Sequence, residues 1–247
     1  MVSAIEGSGT PQAVWRAWSA PPSWPELDLS VPPSRVVVVA PHPDDEVLGV
    51  GGMMSLLEAA GTVVTLVAAT DGHASHPGSP TLSAADLAVR RPVERTSALQ
   101  VLGLRDVDLL RMGLPDGGVA GFESMLTDLL TDLLQPSDWC VATWRGDGHP
   151  DHEAAGRAAA SAAGEADSRL LEFPIWTWHW ATPGDARVPW DRARRVPLPL
   201  AVEAAKRAAA AEYRTQVQPL STDPADAAIL PPTSLARLLR DFETVFV

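Results

Sequence analysis

The sequence predicts an α/β protein: a Rossmann-like, mostly parallel sheet with helices on both faces, plus an irregular N-terminal extension and a less regular C-terminal segment. Three observations carry that prediction. Strand-like and helix-like stretches take turns from residue 35 to residue 175. The first strand run, Val36 to Val39, is all valine and reads as buried. Two compact histidine–carboxylate clusters follow strand runs directly, where parallel sheets bind ligands.

The elements follow in order. Residues 1–33 are rich in Pro, Ser and Trp, with Pro21-Pro22 and Pro32-Pro33 as breakers. They read as an extension whose Trp15, Trp18 and Trp24 pack on a single body spanning 34–247, since a flexible tail rarely carries three tryptophans. Arg35–Ala40 is a β-branched strand. Asp45–Ala60 reads as a helix with apolar Val47, Leu48, Met53, Leu56 and Leu57. Thr62–Ala69 is the next strand. Ser83–Leu102 is a helix with a capping serine and a terminating Gly103, and Pro92 inside it predicts a break or kink. Val107–Leu110 is a short strand and Phe122–Leu134 a helix closed by Pro136. Trp139–Thr143 is a strand, Asp151–Ala163 an alanine-rich helix and Leu170–Ile175 a further strand. Residues 183–199 read as loop, with helices expected at Leu200–Tyr213 and Ser234–Phe242.

Composition narrows the function. A chain of 247 residues, nearly half apolar, can bury a sizeable core. Its net charge of −12, without a Lys/Arg cluster, argues against nucleic acid and anionic membrane as partners. No stretch has the length of apolar sequence that spans a bilayer, and the N-terminus lacks a signal-peptide layout. A single cysteine, Cys140, sits in an apolar run and reads as core, which fits a cytoplasmic protein.

The chemistry concentrates in His42-Pro43-Asp44-Asp45-Glu46 and His149-Pro150-Asp151-His152. Parallel strand direction brings both to one rim of the sheet. A hydrolytic zinc site commonly has three protein ligands and an open position. His42 and Asp45 can supply two from one turn, and His152 is the best third. Two imidazoles and a carboxylate also suit ferrous iron. Asp44, beside a ligand, can take a proton from attacking water. His149, protonated, can stand opposite as acid or oxyanion donor, with Asp151 orienting it. Singly, either cluster also reads as a helix start with capping acids; together at strand ends they read as a site. Glu46 could equally hold a local backbone N–H or a ligand, and His73, His76 and His179 read as structural, with a place at the rim as the alternative for His73 after Thr70-Asp71-Gly72. Gly49-Val50-Gly51-Gly52 matches neither phosphate-loop pattern.

At these residues the sequence resembles the PIG-L/LmbE family of zinc-dependent de-N-acetylases. The family's AHPDDE signature stands here as Ala40-Pro41-His42-Pro43-Asp44-Asp45-Glu46, with an extra proline after the alanine, and its HPDH signature is intact at 149–152. Thr70-Asp71-Gly72, Arg91-Pro92-Val93-Glu94 before Leu102-Gly103-Leu104, Leu114-Pro115-Asp116-Gly117 and Lys206…Tyr213…Gln216 extend the resemblance over about residues 35–220. The resemblance implies removal of an N-acyl, typically N-acetyl, group from an amino sugar or related secondary metabolite. It implies His42, Asp45 and His152 as zinc ligands, Asp44 as general base and His149 as oxyanion stabiliser or acid. It points to Arg91 and Asp116 as contacts to substrate hydroxyls; the plain alternatives are an Arg91 paired with Glu94 or Asp71 and an Asp116 in an ordinary turn.

Some sugar-acting relatives carry a tyrosine two residues before the first histidine of the second motif. Here Asp147 stands there and the only tyrosine is Tyr213, so oxyanion stabilisation rests on metal and His149. The same fold supports hydration of an unsaturated carboxylic acid, which would call on cations such as Arg145 and Arg91 at the rim. A structural metal site without catalysis is a third reading, against which the retained Asp44 speaks. Trp176-Thr177-Trp178-His179-Trp180 reads as core or interface packing, with an apolar wall over the site as the alternative. The expected partner is a small acylated amine, and the Trp-rich regions could also serve a homo-oligomer.

Overall fold

The computed structural model describes residues 7–18 and 20–247. A short helix α1 (Gln12–Ala17) precedes the regular alternation. There follow β1 (Arg35–Ala40), α2 (Asp45–Ala59), β2 (Val63–Thr70), α3 (Ala84–Val101) and β3 (Asp108–Leu114). The chain continues through α4 (Glu123–Leu133), β4 (Trp139–Thr143), α5 (Pro150–Glu165), β5 (Arg169–Phe173) and α6 (Thr177–Trp180). It ends with β6 (Ala193–Pro197), α7 (Leu200–Ala210), α8 (Arg214–Val217), α9 (Pro232–Leu238) and β7 (Phe242–Phe246).

The seven strands form one sheet in the order β3-β2-β1-β4-β5-β7-β6. The first five are mutually parallel, and β7 runs antiparallel to both β5 and β6. From β1 the chain builds outward through β2 and β3, then returns to the other side of β1 with β4 and β5. That reversal opens a crevice at the carboxyl ends of β1 and β4, where α/β sheets bind ligands.

Both faces of β1 are covered. Val36, Val38 and Ala40 belong to one core with Met53, Met54 and Leu57 of α2. Val37 and Val39 belong to the other with Leu126 and Leu130 of α4 and the alanines of α5. An unbroken valine run is what such a doubly covered strand needs. The small residues of α5 bring it close to the sheet: a Cβ on Gly156 would lie 2.4 Å from the Thr143 carbonyl oxygen.

The tryptophans of the extension do pack on the body. Trp15 Nε1 donates to the Trp178 carbonyl (2.9 Å), and Trp15, Trp18 and Trp24 all meet the Trp190 ring at 4.9–6.1 Å. Cys140 is buried in β4, and burial pushes its thiol up to about 12. Among the described residues no helix is long and apolar enough to cross a membrane.

Three expectations need correction. α3 runs through Pro92 without interruption. The broken helix is α2, where Val50 leaves helical geometry (φ −137°, ψ 19°). The amides exposed by that break are taken by the buried Glu243, from Gly52 N (2.6 Å) and Met53 N (2.7 Å), and Lys206 Nζ closes the unit at 2.6 Å. The stretch 183–199, read as loop, contains β6, and the helix expected at Ser234–Phe242 stops at Leu238 and gives way to β7. These two strands are defined mainly by pairing with each other, and β6 (Ala-Arg-Arg-Val-Pro) has no strand-like apolar pattern.

Gly156→Ala tests the α5 packing. Alanine gains about 1 kcal/mol of helix propensity, while overpacking costs about 1–3 kcal/mol. Because the obstructing atoms, Thr143 O and Arg145 N, are backbone, the steric cost prevails and the thermal unfolding midpoint falls. A raised midpoint would contradict this contact.

Candidate metal centre

The first motif leaves the sheet at the end of β1. Pro41 O accepts hydrogen bonds from Thr70 N (3.0 Å) and Thr70 Oγ1 (2.9 Å), which ties the turn to β2. Asp44 then adopts φ 145° and ψ −30°, a conformation costly for a residue with a side chain, by about 1–3 kcal/mol. It is held on all sides. Its N–H donates to Glu46 Oε2 (3.2 Å), and its carbonyl accepts from Leu48 N (2.9 Å). Arg91 Nη2 donates to Asp44 Oδ2 (3.1 Å) and to Pro43 O (2.9 Å).

The other elements of the sequence pattern explain this clamp. Arg91 Nη1 donates to Gly72 O (2.8 Å), and Gly72 has φ +69° with a Cβ position only 2.1 Å from that nitrogen. Glycine is needed there both for the backbone and for the guanidinium's approach. Glu46 is fully buried and accepts from Tyr213 O–H (2.9 Å). Burial raises its pKa, with the Arg95 guanidinium opposing. Glu94 pairs with neither Arg91 nor the cluster; it accepts from Thr215 N and Oγ1.

The second motif starts α5, with His149 as N-cap and His152 fully buried in the first turn. His42 Nδ1, Asp45 Oδ2 and His152 Nε2 form a triangle with sides of 3.2, 3.3 and 3.3 Å. Ligands about 2.0–2.1 Å from a tetrahedral ion lie about 3.3 Å apart, so this donor set fits a zinc-type cation. Two further groupings have their ligand atoms within 4.8 Å of one another, His42 with His149 and His152, and His42 with Asp116 and Asp151. All three carboxylates also accept backbone N–H groups, Asp45 Oδ2 from His42 N (2.9 Å). Asp151 accepts from Gly117 N (2.7 Å) and Val119 N (3.1 Å), and Asp116 from Ala74 N (2.7 Å). The His42–Asp45–His152 triangle is the candidate whose three sides all match the ligand spacing of a tetrahedral ion.

Both imidazoles of the triangle rest their other nitrogen on carboxylate. His42 Nε2 lies 3.2 Å from Asp151 Oδ2 and from Asp116 Oδ1. His152 Nδ1 lies 2.8 Å from Asp147 Oδ2. This is the arrangement that fixes tautomer and orientation in metal-binding histidines. It corrects one expectation: the Asp151 carboxylate braces His42, while only its backbone N–H reaches His149, donating to Nδ1 at 3.2 Å. In the sequence Asp147 stands out only as the residue where some relatives have tyrosine. It is fully buried and takes four further bonds, from Ile175 N, Trp176 N, Thr177 N and Thr177 Oγ1. Its position five residues before His152 was the available signal, but its acceptor role depends on the loop after β5.

The electrostatics follow. Burial works against charge on His42 and His152, yet the surrounding carboxylates overcome it, holding His42 well above its usual range and raising His152 to about 9. Burial likewise opposes ionisation of Asp45, but the two imidazoles hold it well below the usual carboxylate range. Such a cluster attracts positive charge. Burial pushes Asp44 up to about 7 against the pull of Arg91. Half-buried His149 is lowered to about 3 by burial and the neighbouring imidazoles. With Nδ1 accepting from Asp151 N, its proton sits on Nε2.

A cavity of about 330 Å³ opens beside the triangle. His42, Asp44, Asp45, Arg91, Asp116 and His149 line it together with Leu48, Ile175, Trp176 and Leu230. Arg91 and Asp116 thus reach the cavity, but each is already engaged, Arg91 with Asp44 and Asp116 with His42.

Comparison with known proteins bears on the same residues. The PIG-L family, described as GlcNAc-PI de-N-acetylase, matches residues 37–163, which contain both motifs. Diacetylchitobiose deacetylase of Thermococcus kodakarensis is 28% identical over 130 residues, 49% of this chain and 46% of that one. The 1D-myo-inositol 2-acetamido-2-deoxy-alpha-D-glucopyranoside deacetylase of Streptomyces avermitilis is 31% identical over 201 residues, 70% of this chain and 65% of that one. The chain spans less than two thirds of the length of either relative. The crystal structure of the A40926 pseudoaglycone deacetylase Dbv21 superposes with a TM-score of 0.60 at 22% identity, covering 86% of this chain and 96% of that one, which shows a shared fold. Since the matched segment runs from the first strand through both histidine–aspartate motifs, the chain belongs to the PIG-L family of de-N-acetylases.

Proposed function

We propose that the protein is a metal-dependent N-deacetylase that removes an N-acyl group, first of all N-acetyl, from an amino sugar or related secondary metabolite. The observation that carries this reading is the triangle of His42, Asp45 and His152 on a cavity that also holds Asp44 and His149. Zinc is the proposed ion, and ferrous iron suits the same donors.

When bound, such an ion polarises the amide carbonyl and acidifies a water. The protein's own groups do the rest. Asp44, with a pKa near neutrality, accepts the proton of the attacking water and returns it to the departing amine nitrogen. Arg91 fixes the rotamer of Asp44 for both transfers. His149 presents a neutral Nε2–H to the oxygen that gains charge in the tetrahedral intermediate. Asp147 and Asp151 keep His152 and His42 turned toward Asp45. The hydration reading has less support. Arg145 is committed to Glu172 (2.8 and 2.9 Å) and Arg91 to Asp44, so neither offers a substrate carboxylate an unpaired cation.

Two measurements test this. Asp44→Asn should retain bound metal and lose turnover by about 10²–10⁴-fold, read as amine release from N-acetylglucosamine derivatives; full activity would remove Asp44 from the base role. Asp147→Asn should weaken metal binding by about 10–100-fold in a chelator competition; unchanged affinity would mean that His152 needs no carboxylate behind it.

A further inference from the structure

The lining of the cavity bears on what it admits. Besides the imidazoles and carboxylates, Leu48, Ile175, Trp176, Ile229 and Leu230 give it an apolar wall. All but Leu48 lie beyond the segment that matches the family, in the loop after β5 and the loop before α9. The wall is fixed in place. Leu230 N donates to Gln216 O (2.9 Å), and Gln216 Nε2 donates to Ser75 Oγ (3.3 Å). A few residues earlier, the buried Asp226 accepts from the hydroxyls of Ser79, Thr81 and Ser221, which staples this loop to the 75–82 loop.

Charge points the same way. Among the described residues Arg91 is the one Arg or Lys side chain lining the cavity, and Asp44, Pro43 O and Gly72 O occupy it. Asp44, Asp45 and Asp116 line it as well. Nearby Arg111 is held by Asp71, and Arg145 by Glu172. A carboxylate or phosphate on the substrate would lose water in this cavity and meet these carboxylates with no unpaired Arg or Lys beside it.

We infer that the substrate is an N-acylated amino sugar on an uncharged, apolar carrier, not on a carboxylate- or phosphate-bearing one. This rests on the hydrolase reading above and narrows it. The apolar part of the carrier lies along Trp176, Ile229 and Leu230, while the amide faces the triangle.

The test uses the full chain loaded with zinc and three glucosaminides that differ only in what C1 carries: a hexyl chain, a second neutral sugar, or phosphate. Each is used as the N-acetyl compound for turnover and as the free amine for calorimetric binding, which needs no catalysis. The hexyl amine should bind roughly tenfold or more tighter than the phosphate, and kcat/KM should follow the same order. Ile229→Arg, at a partly exposed wall position, should narrow that gap by supplying a cation. Trp176→Ala should weaken the hexyl compound and spare the disaccharide. Equal or tighter binding of the phosphate overturns the inference. So does a hexyl affinity indifferent to Trp176→Ala, which would seat the chain elsewhere. If the amines rank as expected but no N-acetyl compound releases amine, the hydrolase reading fails and the selectivity of the cavity stands.

Discussion

β1 and β4 lie side by side, with Val39 opposite Ala142, and each ends in a turn that carries an imidazole into one crevice. The whole site depends on that pairing. His42 and His152 are 110 residues apart in sequence, yet their nitrogens meet at 3.3 Å. The pairing is held by apolar surface buried on both faces of the central strands, so core packing and site geometry are one constraint. The close seat of α5 against Thr143 sets the depth of His152 in the same way, and Thr143 Oγ1 fastens it by donating to the His152 carbonyl (3.0 Å).

Around that pairing the protein gathers buried charge that would be costly if unpaired. The groups nearest the triangle have assigned partners, whereas the fully buried Arg95 guanidinium makes no hydrogen bond among the described residues. Asp147 takes the load of His152 and of three amides after β5, Asp151 takes His42 and two amides, and Arg91 takes Asp44. The strained backbone at Asp44 belongs to the same logic. A conformation glycine would adopt freely is imposed on an aspartate, and Glu46, Arg91 and the start of α2 hold it there.

The C-terminal third, outside the matched family segment, completes this arrangement. Tyr213 supports Glu46 behind Asp44, Thr215 secures Glu94, and Lys206 with Glu243 repairs the break in α2. The same third supplies most of the apolar wall. The segment common to the family thus furnishes the reactive groups, and the remainder fixes them and shapes what can approach.

The sequence by itself determined the alternating α/β order, the buried valine strand, the two motifs and the rim they share, because each of these is written in local pattern: apolar runs, turn residues and ligand-type side chains at short spacing. It also marked Arg91, Asp116 and the Thr70-Asp71-Gly72 turn without revealing that Arg91 rests on Gly72 and Asp44. Only the tertiary structure decided that β1 neighbours β4, that β6 and β7 are strands, that α2 rather than α3 is interrupted, that Asp151 braces His42, and that Asp147 stands behind His152. Each of those depends on groups brought together from distant parts of the chain. Hydrogen-bond partners and burial are properties of the folded surroundings, and no local pattern encodes them.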